Sequence, residues 1–481
     1  MASHRNSATA ELIVAAGSTP TRLPPLTRTQ SIGLLLGAVG FVLPLALDVP
    51  GLEPAGERML AIFLLAIVLW MTEAIPLVAT ALGVVLLEIL LLSDQAIIAV
   101  ADPLDAADMF ATLADPVIVL FLGGFLIADG AAKYGLDRNL AAVLLRPFLG
   151  GGARRIVLGL MLITALLSMF VSNTATTATM FAVILPVLAS LPPGRARAGL
   201  ALAIPFAANV GGIGTPVGSP PNAIAIGQLA ARGQSVSFLG WMLLALPLLI
   251  VVLLGTWWLL TRRFIASDTP IELDVSARFN TSPAAMVFTV VAGLTVLLWL
   301  TEPLHGLASS TVGFIPVVLL LATGVMGASD LQSLPWHVLW LVAGGIALGA
   351  GIGASGLDAW LLELVTWERL GATLLLALLV LAGLGFSTVI SSSAASNLLI
   401  PLALGVAAGV GVDVTLVGVT VAIACSFAMS LPISTPPNAI AYATGEITQA
   451  GMASTGVVIG AVGGLLLAFA MPPLWSALGL L

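Results

Sequence analysis

A chain of 481 residues that is 59% hydrophobic and only 8% charged is not a soluble globular protein, in which about a quarter of residues carry charge. Its formal charge of −7 crowds into a few loops, so it points to no oppositely charged partner, nucleic acid included. Three histidines and the single Cys425, inside an apolar segment, rule out an intrachain disulfide and argue against a His/Cys metal cage.

The expected architecture is an all-α polytopic membrane protein with about 11 crossing helices and two re-entrant hairpins. Residues 1–29 are polar and lack the apolar core of a signal peptide, so they read as a disordered cytosolic tail. Residues 30–57 hold a first transmembrane helix and a loop. Further spans follow at 59–71, 75–92 and 117–132, with a loop containing Asp94, Asp102, Asp105, Asp108 and Asp115 before the last. The stretch 155–190 is apolar but interrupted by Ser172-Asn-Thr174. As one helix it would be about 50 Å long, too long for a single crossing. It therefore predicts a hairpin whose arginine-bearing ends face the cytoplasm together. A helix over 199–230, broken at Gly214–Asn222, and a span at 238–260 complete a first repeat, 58–265. After a cytosolic linker, 266–282, the plan recurs over 283–481. Spans lie near 284–300, 311–326 and 339–357, then a hairpin at 371–405 and a broken helix at 414–445. A last span covers 455–478.

Recurrence is also visible in the residues. Ser219-Pro-Pro-Asn222-Ala-Ile-Ala225 and Thr435-Pro-Pro-Asn438-Ala-Ile-Ala441 lie 216 residues apart, each preceded by a Ser-Asn pair, Ser172-Asn173 and Ser396-Asn397. Leu120-Phe-Leu-Gly-Gly124 with Gly135-Leu-Asp137 matches Leu341-Val-Ala-Gly-Gly345 with Gly356-Leu-Asp358 at a constant offset of 221. An odd number of crossings per repeat makes the two halves inverted. That places the N-terminus in the cytoplasm and 13 of the 16 Lys and Arg inside, leaving Arg58, Arg232 and Arg369 outside.

Prolines and polar side chains at bilayer depth are costly unless they line a cavity. Recurring in both halves, they predict a transport site between repeats. Ser, Thr and Asn cap half-helices whose exposed N–H groups favour an anion. None of the motifs holds Lys or Arg, so cations would supply the remaining charge, and free carbonyls with Ser and Asn oxygens suit Na⁺. Singly, a Ser-Asn pair reads as helix–helix glue and a Pro-Pro as a kink; the ordered recurrence favours a site. Glu73 reads as a helix-end charge, Asp129 as a structural partner, and the ten tryptophans mainly as an interfacial belt. An enzyme acting on lipid-linked substrates is disfavoured, because Asp102, Asp105 and Asp108 lack a basic or histidine partner.

Through Trp70-Met-Thr-Glu-Ala-Ile-Pro76, Phe121-Leu-Gly-Gly-Phe125, Ser172-Asn-Thr174, Gly218-Ser-Pro-Pro-Asn222 and Thr435-Pro-Pro-Asn438, the chain resembles the divalent anion/sodium symporter family, whose members carry dicarboxylates, citrate or sulfate. The resemblance implies a homodimeric, elevator-type symporter in a prokaryotic inner (plasma) membrane, with Na⁺ as coupling ion. It implies one sodium site at Ser168, Ser172, Asn173 and the Gly218 carbonyl. A second would use Ser392, the Ala395 carbonyl, Asn397 and the Ser434 carbonyl. The substrate, a C4-dicarboxylate such as succinate, would meet Ser172, Asn173, Thr174, Ser219, Ser396, Asn397, Thr435 and Pro436. Leu398 departs from the family's second Ser-Asn-Thr, which keeps sulfate or another divalent anion open beside succinate. A sodium-independent anion exchanger of the same fold is a further alternative.

Overall fold

The computed structural model describes residues 26–266, 269, 271, 277–364 and 371–481. Most of the 1–29 tail, much of the 266–282 linker and Arg369 therefore lie outside the described residues. Helices α1 to α5 span Arg28–Ala46, Pro54–Thr72, Leu77–Leu92, Pro116–Tyr134 and Leu136–Leu145. A first hairpin is α6 (Ala153–Phe170) and α7 (Asn173–Ser190); a first broken helix is α8 (Arg195–Gly212) and α9 (Pro220–Ala230). Then come α10 (Phe238–Phe264), α11 (Pro283–Leu300), α12 (Ser309–Ala322), α13 (Trp336–Ala354) and α14 (Leu357–Glu363). The second hairpin is α15 (Ala372–Val389) and α16 (Ser392–Val410), and the second broken helix α17 (Val414–Ser426) and α18 (Pro436–Ala443). Last is α19 (Gln449–Leu465), which passes through a π turn, Leu466–Ala470, into Met471–Ala477. Prolines 472 and 473 lie just past that turn, and missing N–H groups locally loosen the helical ladder.

Among the described residues, eleven helices are long and apolar enough to cross a membrane, and the chain is a multi-pass membrane protein. They are not the eleven expected crossings. Seven coincide; the other four are the hairpin arms α6, α7, α15 and α16. The expected spans at 75–92 and 311–326 form the shorter α3 and α12, of 16 and 14 residues, and the remaining two are the broken helices. The first helix starts at Arg28, where Thr27 and Gln30 form a capping box.

Local chemistry explains the boundaries. Helix α2 stops at Glu73, whose left-handed φ of 46° ends the helix, and the indole of Trp70 donates to the Leu77 carbonyl across that corner at 3.1 Å. The aspartate-rich loop is used for capping: Asp105 accepts from Ala107 N–H at 2.7 Å and Asp115 from Val117 N–H at 2.8 Å. Gly135 and Gly356, matched in the repeat, both take left-handed φ (67° and 70°) and turn the chain into α5 and α14.

Four of the ten tryptophans depart from the belt expectation. Trp70, Trp241, Trp299 and Trp475 are fully buried in protein. Trp241, Trp299 and Trp475 donate to the carbonyls of Ile213, Ser309 and Leu244 at 2.9, 3.0 and 2.9 Å. An indole N–H inside an apolar core must find an acceptor, and here each ties two segments together.

The halves interlace. Helix α4 packs on α12, with Gly123 against the backbone of Gly313, and α13 packs on α3, with Gly344 against Ala81. The short α18 lies against α7 and α8, while α9 lies against α16 and α17. Helix α8 is buried from Gly199 to Gly212 and packs against both arms of the first hairpin and both parts of the second broken helix.

Candidate functional site

The first hairpin turns at Val171–Ser172. Ser172 N-caps α7, accepting from Ala175 N–H at 3.5 Å. One turn before the end of α6, the Ser168 hydroxyl faces two acceptors, Asn173 Oδ1 and the Ala208 carbonyl, the latter at 2.8 Å. One hydrogen cannot serve both. Three oxygens thus converge with a single proton among them, an arrangement that fits a hard cation. The Asn173 amide lies on the bare Cα of Gly212, where a methyl group would come within 2.5 Å of Nδ2. Gly218 lies against the Gly212 carbonyl. Ser168, Ser172, Asn173 and Gly218, predicted from different segments, are therefore gathered around the end of α8.

The break between α8 and α9 is held by side chains. The Asn222 amide donates to the carbonyls of Gly212 and Thr215 at 2.9 and 2.8 Å, and Thr215 donates to the Met169 carbonyl. The second break repeats this pattern. Asn438 donates to Met429 and Leu431 carbonyls at 2.9 and 3.0 Å, and Ser434 donates to the Thr388 carbonyl at 3.1 Å. Both Pro-Pro segments begin the following short helix, where a missing N–H costs nothing.

The hairpin tips differ. In the second hairpin the cap is Ser391, accepting from Ala394 N–H at 3.3 Å. Ser396 and Asn397 therefore sit one turn further on, inside α16, and not at the start of a half-helix as expected. Asn397 donates to the Leu341 carbonyl on α13 at 3.0 Å; its Oδ1, buried against Gly345, has no hydrogen-bond partner. Ser396 bonds back to the Ser393 carbonyl at 2.9 Å. Among the described residues no hydrogen bond joins Ser434 to Ser392, Ala395 or Asn397.

Among the polar contacts that span the halves, two lie at the breaks. Asn209 donates to Asn438 Oδ1 at 3.0 Å, and the Ser219 and Ser426 hydroxyls lie 3.3 Å apart. Thr435 caps α18 through Asn438 N–H at 3.4 Å, whereas the Ser219 hydroxyl caps nothing. Thr174 and Pro436 are exposed on the packed pair α7 and α18, Ser172 and Asn173 are half-buried, and Ser219, Ser396, Asn397 and Thr435 are buried. The N-termini of α7, α9, α16 and α18 all start at breaks in the two halves. A cavity of about 320 Å³ beside the first break is lined by Pro216, Ile226, Ser237, Glu302 and Ser309 and includes none of the predicted substrate residues.

Sequence reasoning missed Asn209 and Ser426, which sit within apolar runs with no repeated phrase around them, and gave no role to Thr215, although it lies in the expected break 214–222. It also missed Gln228, fully buried on α9, which donates to the Gly345 carbonyl of α13 at 2.6 Å. The bracing role of Asn222 and Asn438 was foreshadowed only by their recurrence.

The sodium:sulfate symporter transmembrane region model matches residues 28–481. The sodium-dependent dicarboxylate transporter SdcS of Staphylococcus saprophyticus is 32% identical over 468 residues, 89% of this chain and 88% of that protein. SdcS of Staphylococcus aureus is 30% identical over 484 residues, 92% and 91% of the two chains. Among solved structures, the YdaH transporter of Alcanivorax borkumensis aligns with a TM-score of 0.55 at 16% identity, covering 89% of this chain and 99% of that one. MtrF of Neisseria gonorrhoeae aligns at 0.52 and 15% identity, covering 92% and 97%; at such identities the likeness concerns the fold. With hairpins, breaks and Pro-Pro-Asn braces in this order, and matches along nearly its whole length, the chain belongs to the sodium:sulfate symporter transmembrane family and is a transporter, not an enzyme.

Proposed function

We propose that this transporter carries divalent anions, C4-dicarboxylates such as succinate, in symport with Na⁺. The observation that carries the proposal is the oxygen cluster of Ser168, Asn173 and the Ala208 carbonyl at the start of α7, short of hydrogens. Na⁺ there would supply positive charge next to a helix N-terminus that already favours an anion. Ser168, Ser172, Asn173 and the Gly218 carbonyl hold it; Ser392, the Ala395 carbonyl, Asn397 and the Ser434 carbonyl hold a second ion. The carboxylates meet Ser172, Asn173, Thr174, Ser219, Ser396, Asn397, Thr435 and Pro436. The sodium-dependent dicarboxylate transporters among the relatives support this reading. The repeats, 58–265 and 283–481, are inverted, and the protein works as a homodimeric elevator in the plasma membrane with its N-terminus cytoplasmic.

Uptake of radiolabelled succinate into proteoliposomes under an inward sodium or potassium gradient tests the function. Accumulation with sodium alone is the expected result; equal uptake with potassium overturns sodium coupling. Leu398 is buried and lacks the hydroxyl of the family's second Ser-Asn-Thr, which favours a second reading with sulfate as substrate; sodium-driven sulfate uptake without succinate uptake selects it.

A further inference from the structure

Glu88 stands apart from this site. It lies late in α3, has no exposed surface, and neither carboxylate oxygen has a hydrogen-bond partner. Its carboxyl rests on the bare Cα of Gly351 in α13, where a methyl group would come within 2.5 Å of Oε1, with the Met59 sulfur of α2 beside the same spot. The charged and titratable residues on the elements packed against α3 are Glu57 and Arg58 of α2, His337 of α13 and Asp108 of the short helix Ala106–Ala111. All are otherwise placed. Arg58 donates to the carbonyls of Leu91, Ile98 and Ala99 at 2.8, 2.9 and 3.3 Å. Glu57 accepts from Val49 N–H at 2.8 Å. His337 stands in the first turn of α13, about 20 Å along the helix from Gly351, and Asp108 is exposed.

An ionised carboxylate with no partner in apolar packing is far costlier than the neutral acid, and such a residue within a membrane helix marks a functional position. Among the described residues no group of His, Cys, Asp or Glu side chains gathers to hold a metal ion, so the cation that fits is a proton. We infer that Glu88 is a proton-binding site of the transporter. The carboxyl holds H⁺ while α3 and α13 are packed together. When the helices part, the O–H bond breaks, the proton passes to water, and the carboxylate pairs with Arg58, which gives up a carbonyl to reach it. The inference rests on the transport reading, to which it adds a protonation step.

Two measurements on the full chain in liposomes test it. The infrared difference spectrum of wild type minus Glu88→Gln is expected to show the carbonyl stretch of a neutral carboxylic acid; its absence across a pH series overturns the inference. Sodium-driven succinate uptake by the wild type is expected to fall about tenfold per pH unit above the titration of Glu88, with E88Q flat over the same range. E88Q mimics the neutral acid and is expected to keep wild-type thermal stability. A variant that fails to fold, or a pH profile matching the wild type, overturns the inference. Should neither protein take up succinate under any sodium gradient, the transport reading fails and the infrared band alone decides Glu88.

Discussion

The two asparagines of the Pro-Pro-Asn phrases do work that few other side chains can do. A chain that breaks a helix in mid-membrane strands carbonyls with no water to donate to them. A carboxamide offers two N–H groups from one atom, and Asn222 and Asn438 each spend both on the carbonyls of their own break. Asn222→Ala leaves two carbonyls bare, at roughly 1–3 kcal/mol for each unpaired group. The expected result is a clear fall in thermal midpoint. Asn438→Ala is expected to cost more, because it also strands the Asn209 amide. Thermal scans of the purified variants decide the point, and midpoints equal to wild type would remove the bracing role. At this scale the sequence was half legible. It marked Ser172 because that serine is the cap. It could not choose within Ser391-Ser-Ser-Ala-Ala-Ser396-Asn397, since cap preference ranks serine at 391 no differently from serine at 396.

Among the helices, close approach depends on particular glycines. Any side chain at Gly123 would run into the Gly313 carbonyl, so α4 and α12 can meet at this depth only with hydrogen there. Gly123→Val is therefore expected to destabilise by at least about 1–3 kcal/mol through overpacking. Gly293→Ala in α11 has open space around it and is expected to be neutral or slightly stabilising, since a helix interior favours alanine by about 0.5–1 kcal/mol. Comparing the two midpoints separates packing from propensity; similar losses would deny the contact its importance. The matched Gly-Gly pairs at 123–124 and 344–345 were visible in the sequence, as were the apolar runs that became helices. Their partners were not, because periodicity reports which face is apolar and is silent on what it meets. The four buried tryptophans failed as belt markers for the same reason: an indole is equally served by the membrane interface or by a carbonyl such as that of Ile213.

Across the whole molecule, the recurrence in sequence does not divide the chain into separable bodies. Each half lends a short helix and a long one to the other, and a peripheral tie reinforces this: Lys133 at the end of α4 bonds Asp330 at 2.7 Å, just ahead of α13. Asp330 is held below the ordinary carboxylate range, first by the Gly327 N–H and then by Lys133. Its stabilisation is thus fully present above the unfolded value of about 3.9 and is lost as pH falls through the lower folded value. Asp330→Asn is expected to lower the thermal midpoint slightly at pH 7, with the gap closing in acid; a gap that persists there would argue against the ion pair.

The interlacing has a consequence for ligands, because residues proposed to bind them come from both halves and are bridged by Asn209–Asn438 and Ser219–Ser426. A ligand that closes such a site restrains both halves together, so it stabilises the fold as a unit, by about 2.7 kcal/mol at a hundredfold excess over its Kd. If the cluster at Ser168 and Asn173 holds Na⁺ beside the anion, each ligand strengthens the other's binding by the same factor. Succinate with sodium is then expected to raise the thermal midpoint by more than the sum of the two separate shifts, while potassium and succinate give no such excess. Ser168→Ala removes one oxygen from the cluster and should abolish the excess; it also leaves a buried acceptor bare, at roughly 1–3 kcal/mol, so each variant's shifts are read against its own unliganded midpoint. Simple additivity in the wild type, or an excess that survives in Ser168→Ala, would place the coupling ion elsewhere.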